Sequence, residues 1–306
     1  MNEHNEKYID EPGVFKPNLK GMMVGNGVTN WTVDTNPSAF EMSYWHSLID
    51  KELYMKKFEN NCSLDILVPP ENEVCDKIND EFNELFNNNL NIYDIFGECY
   101  MPYQNDFGLR SKSEGDIEST NKHYWSAADY TPWLFKKNGK DHSKLKDLPP
   151  CTFGAPIIEY LSSDEVMDAL HIPKDAPRAP GTKNTWDLCR GPSDGFNYEI
   201  NAKASQWIWE ALKGKYRFLK YTGDTDAAVP TTGTKWWIDS LGWDILADWR
   251  PYLVPDGESG KVMGGYIIEY DGLTLGTVHG AGHMTPQFKP RESYWLIFNW
   301  LFERDI

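Results

Sequence analysis

Two stretches of this chain carry residue types that could move a proton. One is Gly223-Asp-Thr-Asp226, the other Thr277–Pro286, which reads T-V-H-G-A-G-H-M-T-P and presents His283 on a glycine-rich turn. Each follows a run that reads as a β-strand, Tyr216–Tyr221 in the first case and Gly272–Val278 in the second. Open α/β sheets place their functional groups beyond the carboxyl ends of such strands. A carboxylate that accepts a hydrogen bond from one imidazole nitrogen fixes the tautomer, so the other nitrogen can take a proton from a nucleophile. Acid before histidine, on consecutive strand ends, is the chain order of the α/β-hydrolase layout, with the nucleophile earlier still. Taken singly, an aspartate in a post-strand turn more often bonds its own backbone, and a histidine between glycines is often only a turn residue. Their joint placement makes Asp226 and His283 an acid–base candidate, whereas Asp224, two residues from Asp226, diverges in direction and need not share its role.

The pair needs a nucleophile, and the single G-x-S-x-G text in the 306 residues, Gly191-Pro-Ser-Asp-Gly195, lies in the loop beyond Cys189 with no strand-like run before it, so it does not read as a nucleophile elbow. A partial match is Asp256-Gly-Glu-Ser-Gly-Lys261. It lies between acid and histidine, lacks a glycine at the required offset and reads as a hairpin turn, so Ser259 is set aside. None of the five cysteines, Cys62, Cys75, Cys99, Cys151 and Cys189, lies in an elbow pattern. All five read better as disulfide partners, and the odd count leaves one seeking a partner elsewhere. No metal-ligand cluster or phosphate-binding glycine loop is present, so no cofactor is expected.

The elements that must hold these residues are legible in the last third. A helix is expected over Ala202–Lys213, a strand over Tyr216–Tyr221 and a helix over Thr232–Leu241. A hairpin follows over Val262–Tyr270 and Leu273–Val278 with Asp271-Gly272 as its turn, then a helix over Pro290–Phe302. This alternation is an α/β layout. Earlier, residues 1–17 read as a loop, Leu19–Val24 as a buried strand closed by Gly25-Asn-Gly27, and 31–60 as helical. Residues 71–97 carry a helical pattern ending in Asn87-Asn-Asn89 as a flexible tip. Tyr100–Pro150 reads as a long irregular excursion, and Ser162-Ser-Asp-Glu165 as a capping box opening a helix to His171.

Composition narrows the function. Hydrophobic residues make up 40% of the chain and aromatics 14%, which describes a globular protein. A net charge of −16 argues against nucleic acid as a partner, and suits a protein working at low pH. No apolar run is long enough for a transmembrane helix, and residues 1–10 lack the apolar core of a signal peptide. Two sequons, at Asn30 and Asn61, nevertheless point to a luminal protein.

Four stretches together resemble the serine carboxypeptidases, lysosomal and vacuolar α/β-hydrolases that remove C-terminal amino acids. They are Asn18-Leu-Lys-Gly-Met-Met-Val-Gly-Asn-Gly27, Tyr221-Thr-Gly-Asp-Thr-Asp-Ala-Ala-Val-Pro230, Val278-His-Gly-Ala-Gly-His-Met-Thr-Pro286 with Pro290-Arg291, and the weaker Phe40–Asp50 around Trp45-His-Ser-Leu-Ile49. The resemblance implies an α/β-hydrolase fold, C-terminal part of the sheet, with a large and mainly helical cap insertion. Residues 1–30 and 197–306 would belong to the core and 31–196 to the insertion. It makes Asp226 the triad acid, His283 the base and Met284 a residue lining the pocket for the substrate's C-terminal side chain. It pairs Cys62 with Cys75 and Cys99 with Cys151, and gives Cys189 a partner upstream.

The family's serine motif, G-E-S-Y-A-G, and its Asn-Gly-Gly-Pro-Gly oxyanion loop precede the strand at Leu19 and are not in this sequence. The expectation is therefore the C-terminal portion of a luminal serine carboxypeptidase, lysosomal, vacuolar or secreted, inactive alone. Peptide or protein C-termini would be its substrates, and its partner a separate chain or segment carrying the serine. The rival expectations are a non-catalytic carboxypeptidase-like subunit and an acyltransferase of the same fold.

Overall fold

Strand-forming runs late in the chain assemble a sheet onto which the first apolar run docks. The computed structural model describes residues 1–97, 160–173, 204–257 and 260–306. Cys99, Cys151, Cys189, Ser259 and the Tyr100–Pro150 excursion lie outside them. The strands are β1 (Gly21–Gly25), β2 (Arg217–Gly223), β3 (Ile245–Pro255), β4 (Lys261–Tyr270) and β5 (Leu273–Val278). Their order across the sheet is β1-β2-β5-β4-β3. β2 pairs in parallel with β1 on one side and β5 on the other, with Gly25 opposite Tyr221 and Gly223 opposite Val278. β4 runs antiparallel to β5 and β3, and the β4–β5 hairpin closes through Asp271 and Gly272, whose φ of 94° suits glycine.

The helices are α1 (Asn2–Lys7), α2 (Asn36–Trp45), α3 (Lys51–Glu59), α4 (Glu73–Asn89), α5 (Asp164–Ala169), α6 (Gln206–Leu212), α7 (Thr231–Ser240), α8 (Thr285–Phe288) and α9 (Pro290–Leu301). Side chains alternate across β5. Leu273 and Leu275 join Phe218, Ile268, Trp209 of α6, and Trp237 and Ile238 of α7 in one core cluster. Val278 packs with Tyr252, Val254, Ile267 and Leu296 of α9 in a second. Phe218, Leu219 and Lys220 on β2 are all buried, as expected of a strand with parallel neighbours on both sides and covered faces.

Two compact units emerge. The first comprises Met1–Phe82, Tyr93–Ile95 and Asn201–Ile306, and holds the whole sheet. In it α2 packs on α7 so closely that a Cβ on Gly233 would meet the Val33 carbonyl and the Ser38 hydroxyl. Asp50 caps α3 by accepting from the Leu53 N–H at 2.7 Å. The second unit comprises Asn83–Ile92 and Phe96–Ile200. Its helix α5 starts at Ser163, whose hydroxyl accepts from the Val166 N–H, within the expected capping box.

Several expectations need correction. Residues 2–7 form α1, held from outside by Tyr216 Oη donating to Asn2 Oδ1 and by Lys215 against Glu6. Such tertiary bonds have no local signature. The run closed by Gly25 forms a strand that is half-buried, not buried, with Met23 exposed, because β1 is paired on one side among the described residues. Asn87–Asn89 complete the last turn of α4 and are not a loop tip. Strand β3 and the four-residue α8 were not foreseen; β3 is mostly exposed and carries two prolines, so its alternation is broken.

Candidate active site

Asp226 sits three residues beyond β2 and is fully buried. Its Oδ1 accepts from the N–H groups of Ala228 at 2.9 Å and Val229 at 3.1 Å. Its Oδ2 accepts from Asn26 Nδ2 at 2.8 Å and faces His283 Nδ1 at 2.9 Å. Every partner of the carboxylate is thus a donor, which is the surrounding an ionised form needs. An acceptor opposite Nδ1 places the imidazole proton there and leaves Nε2 as the basic nitrogen. His283 lies 57 positions after Asp226 in the chain, and its side chain retains 30% of its exposure.

The two loops meet backbone to backbone. Thr225 N–H donates to Ala281 O at 3.0 Å and Asp224 N–H to Val278 O at 3.3 Å. A Cβ on Gly223 would collide with the carbonyls of Ala281 and Gly282, and one on Gly282 with the carbonyl of Tyr93. Segment Tyr93–Ile95 completes the seat. His283 N–H donates to Tyr93 O at 2.7 Å, Ile95 N–H to Thr225 O at 3.0 Å, and Thr225 Oγ1 to Asp94 Oδ1 at 2.8 Å. The tyrosine ring lies 5.4 Å from the imidazole.

Three residues of this site were not singled out from sequence. Asn26 follows β1 at φ 49°, a left-handed conformation that asparagine tolerates better than most residues; the Gly25-Asn-Gly27 turn was the available signal. Tyr93 had no signal. His279 forms a second pair, its Nδ1 2.7 Å from Asp224 Oδ2, while Gly280 N–H donates to Asp224 Oδ1 at 2.7 Å. The spacing of two aspartates and two histidines in facing loops could have suggested it. Asp224 therefore diverges from Asp226, as expected.

Buried charge surrounds the first pair. Lys220 on β2 is fully buried, and burial pushes its ammonium down to about 8 against the pull of Asp34 and Asp226. Asp34 is fully buried too, and burial pushes its carboxyl up to about 6 against the Lys220 charge and the N–H groups of Asn30 and Thr29.

The remaining sequence candidates are dispersed. Met284 directly follows His283, half-buried at the N-cap of α8. Cys62 and Cys75 form a disulfide. Asn30 is half-buried with Nδ2 donating to Gln206, whereas Asn61 is exposed at φ 53°. Among the described residues the cluster with metal-like spacing is Cys62, Glu71 and Cys75, whose sulfurs are joined to each other. No described helix is long and apolar enough to cross a membrane. A cavity of about 610 Å³, lined by Arg217, Arg250, Tyr270, Leu273 and Trp300, opens at the other ends of β2 and β5, away from the acid and histidine.

Comparison with known proteins agrees with this architecture. A profile of the serine carboxypeptidase family matches residues 2–303. The lysosomal protective protein of Mus musculus is 27% identical over 303 residues, covering 93% of this chain and 58% of that protein. Serine carboxypeptidase 1 of Hordeum vulgare is 29% identical over 305 residues, covering 94% and 58%. The crystal structure of a prohormone-processing carboxypeptidase from Saccharomyces cerevisiae superposes with a TM-score of 0.57 at 15% identity, covering 99% of this chain and 58% of that one. The fold is that of the α/β-hydrolases, and the chain spans 58% of the length of each of these relatives. It belongs to the serine carboxypeptidase family.

Proposed function

With family membership as the premise, we propose that this chain supplies the acid and the base of a serine-type carboxypeptidase that removes C-terminal amino acids from peptides and proteins. The carrying observation is the buried Asp226 carboxylate held by three other donors and aimed at His283 Nδ1. In this reading a serine outside these 306 residues lies against His283 Nε2. Nε2 takes the serine proton as Oγ attacks the scissile carbonyl, and returns it to the leaving amine as the acyl-enzyme forms. Water then repeats the cycle, with Nε2 again as base. Asp226 keeps Nδ1 protonated and stabilises the imidazolium. Met284 lines the pocket for the departing residue and favours apolar side chains.

The serine and the oxyanion donors come from a separate segment or chain, consistent with the absence of the family's G-E-S-Y-A-G from these residues. Residues 1–30 and 197–306 act as the core portion and 31–196 as the insertion. A luminal or secreted location, glycans on Asn61 and Asn30, a Cys99–Cys151 bridge and an external partner for Cys189 belong to the same reading.

The chain alone is expected to be inactive, since an acid–histidine pair without nucleophile or oxyanion donors has nothing to activate. Peptidase assays on the purified chain test this, and turnover abolished by His283→Ala would overturn it. The lack of G-E-S-Y-A-G from these residues also favours a second reading, a non-catalytic subunit. Intact mass with and without reductant separates the two: a serine-bearing partner released by reduction supports the enzyme, and a chain that remains alone supports the subunit.

A further inference from the structure

We propose that Lys220 is a positioning residue for the Asp226–His283 pair, its buried ammonium fastening the turn that aims Asn26 at the carboxylate. The proposal rests on the reading of that pair as the acid and base.

Lys220 occupies the middle of β2, between the buried Leu219 and the neighbouring strands. An ammonium in such a place costs several kcal/mol of lost hydration unless its surroundings replace the water. An apolar side chain would fill the position at far lower cost, so the cation needs a reason. Its hydrogen bonds supply one: Nζ donates to Gly27 O at 2.5 Å and to Thr29 Oγ1 at 3.4 Å. Both acceptors belong to the turn after β1. Asn26, beside Gly27, has its backbone in the left-handed region and its N–H on Tyr221 O at 3.1 Å. Its Nδ2 reaches Asp226 Oδ2 at 2.8 Å, while its buried Oδ1 has no partner among the described residues. A residue in that conformation keeps its aim only when its surroundings over-determine it.

The far side of the turn is anchored by Asp34, whose Oδ2 accepts from Thr29 N–H at 2.7 Å and Asn30 N–H at 2.9 Å. The links therefore run Asp34, Thr29, Lys220, Gly27, Asn26, Asp226, His283. Two buried carboxylates, Asp34 and Asp226, attract one buried ammonium. The plainer alternative is that Lys220 only neutralises Asp34 and serves stability.

Proton NMR on the 306-residue chain with labelled histidine separates these. The low-field Nδ1–H signal of His283, identified by its loss in Asp226→Asn, reports the hydrogen bond directly. In Asp34→Asn, which keeps the cation and an acceptor oxygen, the signal is expected to persist. In Lys220→Met, and in the charge-balanced Lys220→Met/Asp34→Asn variant should the single change unfold the chain, the Nδ1 proton is expected to exchange roughly tenfold faster or disappear. Far-ultraviolet circular dichroism confirms the fold in each. A signal unchanged without Lys220 overturns the proposal, as does equal loss in Asp34→Asn. A wild-type signal that ignores Asp226→Asn overturns the acid–base reading itself and this proposal with it.

Discussion

The loops after β2 and β5 hold two aspartate–histidine pairs, Asp226 with His283 and Asp224 with His279. By distance the second is the closer, 2.7 Å against 2.9 Å. Surroundings reverse that order. The Asp226 side chain is 0% exposed and the Asp224 side chain 33%; the histidines differ likewise, at 30% and 60%. Asp226 is saturated by donors from the turn after β1 and from its own loop, whereas Asp224 receives Gly280 and His279. Charges in a water-poor site interact several-fold more strongly than the same charges near solvent, and an exposed ion pair is worth little. A short contact alone does not favour a pair as the proposed acid and base; burial together with a complete donor set does.

Exchange of roles would break the comparison most directly. In the proposed peptide-cleaving enzyme, Asp226→Asn is expected to lower kcat about 10⁴-fold by spoiling the tautomer, and His279→Ala to change it by less than about twofold. Steady-state kinetics of the two variants decide, and a comparable loss at His279 would make the pairs equivalent.

Stability against pH sharpens the contrast next. Burial raises the Asp34 carboxyl from 3.8 to about 6, so the folded chain holds that proton more tightly than the unfolded chain. The resulting stabilisation is complete below about pH 4 and is lost as pH rises through about 6, on the order of 3 kcal/mol. Asp34→Asn should remove that slope, and urea midpoints at both ends of the window for variant and parent measure it. An unchanged slope would mean that the charge beside Asp226 is less confined than its burial indicates.

Gly223→Ala attacks what both pairs share. Its Cβ would press on the carbonyls of Ala281 and Gly282, parting the loops and lowering kcat/KM about a hundredfold through misplacement alone. The smallest effect is expected at the exposed pair: Asp224→Ala should cost ~1 kcal/mol in urea unfolding, diminishing with added salt.

The sequence made the Asp226–His283 pairing and the strands beneath it readable because each rests on local grammar: an apolar run, a glycine turn, a polar residue at the strand's end. Asn26 and Tyr93 were out of reach. Asn26 meets Asp226 across 200 positions, and Tyr93 contributes its backbone carbonyl, a group that every residue carries. Helix α1 escaped for a similar reason, since its supports are Lys215 and Tyr216 far along the chain. The half-exposure of β1 depends on which neighbour covers it, and no property of its own residues encodes that.

The parallel register of β2 and β5 runs unbroken from Phe218 opposite Leu273 to Gly223 opposite Val278. It acts as a lock on timing. A slip of one residue would carry Asp226 about 3.3 Å along the strand and turn alternate side chains to the wrong face, which is more than the 2.9 Å contact with His283 can survive. Chemistry that depends on this pair therefore stays silent in a nascent or misaligned chain, and switches on only when the centre of the sheet has closed in its correct register.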